Sequence, residues 1–128
     1  MQGFPTEVFP HMTLPEFKML VDEAKREIKE IDAEELKQMQ KSGEDFVLLD
    51  VREPDEHARG MIAGAVPMTR GRLELDIDQA TADKNKKIVC YCGGGSRSAL
   101  AALQLKKMGY KNPISLIGGW RGWKEAGN

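Results

Sequence analysis

Lys87-Ile88-Val89-Cys90-Tyr91-Cys92-Gly93-Gly94-Gly95-Ser96-Arg97-Ser98 leads without a break into Ala99-Leu100-Ala101-Ala102-Leu103-Gln104-Leu105-Lys106-Lys107-Met108. Ile88 to Tyr91 is short, apolar and rich in strand-forming residues, which predicts a buried strand. Three glycines end it. From Arg97 the residues favour a helix, with Leu100, Leu103 and Met108 on one side and Lys106 and Lys107 on another. This order of strand, tight loop and helix sets Cys92 at the carboxyl end of the strand. Glycines let the loop curl so that successive N–H groups converge, and the helix behind adds its positive end. A thiol in that position has a lowered pKa and reacts as thiolate.

The residues alone leave a second possibility open, because a cysteine beside glycines is often an inert core residue. A glycine-rich loop between strand and helix can also serve to cradle phosphate. Against that, the Lys-Ser/Thr ending of a P-loop and the G-x-G-x-x-G spacing are both missing.

Cys92-Gly93-Gly94-Gly95-Ser96-Arg97-Ser98 resembles the active-site loop of the rhodanese-family sulfurtransferases, whose Cys, mid-loop Gly, Arg and Ser match Cys92, Gly95, Arg97 and Ser98. Leu48 to His57, continuing through Gly60-Met61-Ile62-Ala63-Gly64-Ala65, resembles the family's "D-V-R-E…G-H-I-x-G-A" segment. Leu116-Ile117-Gly118-Gly119-Trp120-Arg121-Gly122-Trp123 resembles its closing "G-G-x-x-x-W". The three segments span about residues 29 to 126, in the family's order. Met61 departs from the pattern, standing where members often carry His.

The resemblance implies an α/β, rhodanese-like fold, a mainly parallel sheet flanked by helices on both faces. It implies transfer of sulfane sulfur from thiosulfate or a persulfide donor, through a persulfide on Cys92, to a thiol or cyanide-like acceptor or to a protein. Backbone N–H groups from Gly93, Gly94, Gly95, Ser96, Arg97 and Ser98 would stabilise the sulfur anion, as an oxyanion hole stabilises oxygen. Arg97 either attracts the anionic donor or braces the loop. Asp50 and Arg52 are expected to support the site structurally. Neither metal nor organic cofactor is required, since sulfur itself is the group carried.

Two rivals belong to other classes. A cysteine phosphatase or arsenate reductase needs five residues between Cys and Arg to surround a tetrahedral oxyanion, whereas four separate Cys92 from Arg97. A non-catalytic or sulfur-relay module that binds a partner would retain the same loop.

Composition sets the outer bounds. The chain has 128 residues, 41% hydrophobic and 30% charged, with a net charge of -1. One soluble domain follows, and a field this weak excludes nucleic acid and anionic membrane as expected partners. On an extended segment Cys90 and Cys92 lie near the upper distance limit for bridging, so a mutual disulfide would be strained and a reducing, cytoplasmic setting is expected. No apolar run approaches the ~20 residues that span a bilayer, and the first ten residues do not read as a secretory signal. His11 and His57 are isolated and lack metal-ligand spacing.

In chain order, residues 1 to 12 read as an irregular arm with Pro5, Pro10 and scattered aromatics. Thr13 and Glu16 suggest a capping box for an amphipathic helix over 14 to 29, ahead of a family domain from residue 29. Asp32 and Glu35 cap a second helix over about 33 to 41, closed by Ser42-Gly43. Phe46 to Asp50 predicts a strand buried on both faces. A helical turn is expected within Glu53–Arg59, a short strand at Ile62–Pro67, a weak helix from Arg70 and a charged loop at Asp76–Lys86. Ile114–Ile117 predicts the last strand, with Trp120 and Trp123 on a short helix after Gly118-Gly119.

Overall fold

The computed structural model describes residues 14–128. The expected arm at residues 1 to 12 and the proposed Thr13 cap lie outside the described residues. The elements are α1 (Pro15–Glu27), β1 (Lys29–Ile31), α2 (Ala33–Lys41), β2 (Val47–Asp50), α3 (Pro54–Ala58), β3 (Val66–Pro67), a 3-10 turn (Arg70–Arg72), α4 (Leu73–Ala80), β4 (Lys87–Tyr91), α5 (Ser96–Lys107), β5 (Asn112–Leu116) and α6 (Gly119–Glu125). The strands form one sheet in the order β1-β5-β4-β2-β3, and every pair is parallel.

Alternation along β4 assigns its two faces. Ile88 and Cys90 point to one side, where Leu49, Leu73, Ile77, Ala101 and Leu105 bury them beneath α4 and α5. Val89 and Tyr91 point to the other, against Leu36 and Met39 of α2 and Trp123 of α6. A parallel sheet covered on both faces explains why the central strands read as unbroken apolar runs. Outside this body α1 packs on α5 through Val21, Ala24 and Ala99. Tight helix contact is possible there because two of those three side chains are single methyls.

Three local expectations change, and one strand joins the sheet without having been expected. The helix α1 starts at Pro15 with Leu14 as its N-cap and no side-chain cap, since Pro at the first position needs no N–H partner. Instead of a charged loop from Asp76, α4 continues to Ala80, because Leu73 and Ile77 stand one turn apart and both bury. The third strand shrinks to Val66–Pro67, its residues exposed at the sheet edge. The strand β1 carries no sequence signal, having one buried residue, Ile31; its pairing with β5 creates it.

Asp32 caps α2 as expected: its carboxylate accepts from the Glu35 N–H at 2.8 Å, and Glu35 returns to the Asp32 N–H at 3.4 Å. Asp32→Ala is expected to lower stability by about 1 kcal/mol, read as a lower urea midpoint with an unchanged slope. An unaltered midpoint would show that the cap contributes nothing.

Candidate active site

The strand β4 delivers Cys92 to the carboxyl edge of the sheet, and the three glycines fold the chain back above it. Gly95 takes φ 105°, left-handed backbone that L side chains rarely adopt, and serves as N-cap of α5. In consequence the Gly95 N–H points at the Cys92 sulfur from 3.1 Å and the Ser98 N–H from 3.3 Å. The Ser98 hydroxyl lies 3.5 Å from the same sulfur and 2.8 Å from the hydroxyl of Ser115 on β5. Burial pushes the Cys92 thiol up, but hydrogen bonds from Ser98 and from the loop amides outweigh it and hold the pKa below the ordinary value. Cys92 is 1% exposed, so a charge on its sulfur would be balanced by these donors rather than by water.

Arg97 makes no hydrogen bond to the sulfur among the described residues. Its two terminal nitrogens donate to the two carboxylate oxygens of Glu56, at 2.8 and 3.2 Å. The same Glu56 accepts from the Glu53 N–H at the start of α3, so one carboxylate joins the reactive loop to the segment after β2. The Arg97 guanidinium holds Glu56 at a pKa of about 2. Arg52 is likewise occupied: it grips the Asp50 carboxylate at 2.7 Å, donates to the Gly60 carbonyl at 2.6 Å and stacks on Trp120. Burial pushes the Asp50 carboxyl up, yet Arg52 holds it below the ordinary range.

The Gly118-Gly119 turn and the first residues of α6 hold the loop from outside. Trp120 and Arg121 donate their main-chain N–H groups to the carbonyls of Cys92 and Gly93, at 2.7 and 3.1 Å. Gly119, at φ 54°, lies so close that any Cβ would collide with the Cys92 carbonyl. Trp120 also covers Gly60, where a Cβ would come within 3.3 Å of the indole.

The structure gathers Cys92, Gly95 and Ser98 around one atom and sets Gly93 and Gly94 beside them. Ser96 opens α5 without a hydrogen bond to that sulfur among the described residues. Cys90 is fully buried with its thiol pushed up to about 12, as a core residue should be. His57 is half-buried, with its Nε2 3.1 Å from the Asp50 carbonyl oxygen. Glu56, Ser115 and Arg121 escaped the sequence reading. Only the spacing of Glu53 and Glu56 hinted at the first, as a capping box. No cluster of three or more His, Cys, Asp or Glu able to hold a metal occurs among the described residues, and no helix there is long and apolar enough to cross a membrane.

Comparison with known proteins adds to this geometry. The rhodanese-like domain family matches residues 32–126. A sulfurtransferase of Allochromatium vinosum is 34% identical over 100 residues, 78% of this chain and 92% of that protein. A thiosulfate sulfurtransferase of Coxiella burnetii is 36% identical over 62% of this chain and 73% of its own length. The chain spans only 51% of a Bacillus subtilis protein provisionally named a sulfur carrier, which is 36% identical over the shared part. Among solved structures, a Rhodopseudomonas palustris protein described as of unknown function and a possible tyrosine phosphatase has a TM-score of 0.80 at 35% identity, covering 98% of both chains. The Pseudomonas aeruginosa thiosulfate sulfurtransferase has a TM-score of 0.77 at 30% identity, over 88% of this chain and 21% of that one.

Glu56→Gln tests the bracket between the loop and α3. Arg97 lowers the folded pKa of Glu56 from 4.5 to about 2, so the stabilisation is complete above 4.5 and disappears as pH falls through about 2. With the Arg97 side chain 37% exposed, screening limits the pair to about 1 kcal/mol. Wild type is expected to exceed the variant in urea stability at pH 7, with the gap closing as pH falls toward 2. A gap independent of pH contradicts the assignment.

Proposed function

The chain belongs to the rhodanese-like family, and on that premise we propose that it moves sulfane sulfur through Cys92. The observation that carries this is a buried sulfur met by two main-chain N–H groups and a hydroxyl. Such a site favours a thiolate and, one bond further out, a persulfide anion. Relatives named as sulfurtransferases agree with the reaction class.

In the proposed cycle the Cys92 thiolate attacks the outer sulfur of thiosulfate. A new S–S bond forms, the bond to the central sulfur breaks, and sulfite leaves with its electron pair. A nucleophile such as cyanide or a thiolate then attacks the outer sulfur of the persulfide, and Cys92 departs as thiolate. Covalent exchange of this kind gives ping-pong kinetics. The hydroxyl of Ser98, supported by that of Ser115, donates to whichever sulfur anion is present. Arg97 braces the loop through Glu56, and Asp50 with Arg52 fixes the end of β2. A persulfide donor can replace thiosulfate, and a protein can replace the small acceptor. Free thiols at positions 90 and 92 suit a reducing compartment such as the cytoplasm.

A phosphatase is the second reading, favoured by the description of the Rhodopseudomonas structure that spans almost the whole chain. It asks Arg97 to bind a phosphate oxygen, yet both of its terminal nitrogens are engaged by Glu56. Sulfur transfer needs no such release.

Intact-mass measurement after incubation with thiosulfate separates the two. The expected result is one added sulfur atom on the wild type and none on Cys92→Ser. No added sulfur from thiosulfate or glutathione persulfide, together with hydrolysis of p-nitrophenyl phosphate, would replace this reading by the second.

A further inference from the structure

We propose that Arg121 selects anionic reactants at the Cys92 loop, presenting its guanidinium to the sulfonate end of a sulfur oxyanion such as thiosulfate. The choice of that donor class rests on the sulfur-transfer reading; the attraction of an anion does not.

Gly93 and Gly94 have no side chains, so any group that discriminates among donors above them has to come from another element. The helix α6 supplies one. Its first turn is tied to the loop by the Arg121 N–H on the Gly93 carbonyl at 3.1 Å, which starts the Arg121 side chain beside Gly93. The side chain then folds back over both glycines. A Cβ on Gly94 would collide with Nη2 of Arg121 and lie 3.2 Å from its Cζ, and a Cβ on Gly93 would lie 3.7 Å from Nη1. The guanidinium therefore fills the space that a side chain at position 94 would take, above the one exposed glycine of the three.

The neighbouring cations are already committed. Arg97 is held by both oxygens of Glu56, and Arg52 by Asp50 and Gly60. The Arg121 guanidinium is exposed and has no hydrogen bond or ion pair among the described residues. A Glu56 carboxylate oxygen lies 3.9 Å from the same Cβ position on Gly93, and it accepts from Arg97. Thiosulfate is a dianion approaching a thiolate, so repulsion opposes the encounter unless a cation stands nearby. A planar guanidinium can meet two oxygens of a sulfonate side by side, which an ammonium cannot.

The test compares alkylation of Cys92 by iodoacetate, an anion, and by iodoacetamide, which is neutral. The ratio of the two rates is independent of the thiolate fraction, since both reagents consume the same thiolate. Arg121→Gln is expected to lower that ratio about fivefold, with Arg121→Lys recovering part of it, and to raise the KM for thiosulfate by a similar factor at unchanged kcat. An iodoacetamide rate equal to that of wild type shows that the loop is intact. An unchanged ratio in Arg121→Gln overturns the proposal. A lowered ratio in a protein whose wild type takes no sulfur from either thiosulfate or glutathione persulfide upholds anion selection and overturns the sulfur-transfer reading instead.

Discussion

Two N–H groups aimed at one buried sulfur, from Gly95 at 3.1 Å and Ser98 at 3.3 Å, are the constraint on which the site depends. Burial opposes a charge on Cys92, and only donors fixed in advance can reverse that opposition. Their fixing is a matter of backbone shape. Gly95 must be left-handed to bring its own N–H and that of Ser98 to the same point, and a Cβ there would press on the Gly118 nitrogen and the Leu116 carbonyl at 3.4 Å. The loop's outward carbonyls are taken by Trp120 and Arg121, which leaves its amides facing the sulfur.

The sheet places these parts together. Parallel strands β2, β4 and β5 end at one edge, so Asp50, Cys92 and the Gly118-Gly119 turn arrive side by side, as ligand sites of open α/β sheets do. Polar links then tie the connections to one another: Glu56 to Arg97 across the mouth, and Asp50 to Arg52 and Gly60 beneath it. The Asp50–Arg52 pair is almost wholly buried, where the cost of taking both charges out of water offsets much of their attraction. Through it and the Gly60 carbonyl, Arg52 ties the end of β2 to the segment after α3.

Much of this was legible in the residues. The run from Lys87 to Met108 announces its strand, loop and helix through apolar composition, three glycines and helix formers, and the capping box at Asp32 marks α2 to the residue. What escaped depends on partners distant in sequence. The strand β1 exists because β5 pairs with it, and α4 extends past Asp76 because Ile77 finds a pocket beneath the sheet. Glu56 and Ser115 become members of the site through neighbours 41 and 17 residues away. Nothing beside Arg97 in the sequence announces its pairing with Glu56, which only the fold brings within 2.8 Å. Arg121 sits in a motif known for its glycines and tryptophans, where its place between them carries no signal until α6 docks on the loop.

The central claim is that main-chain donors keep Cys92 ionised. Titration of thiolate absorbance near 240 nm, wild type against Cys92→Ser, measures this directly, because burial pushes Cys90 up to about 12 and out of the window. The account predicts one step, present only in the wild type, with a midpoint below the ~8.5 of an ordinary cysteine. A step at or above that value, or none before the protein unfolds, would contradict it.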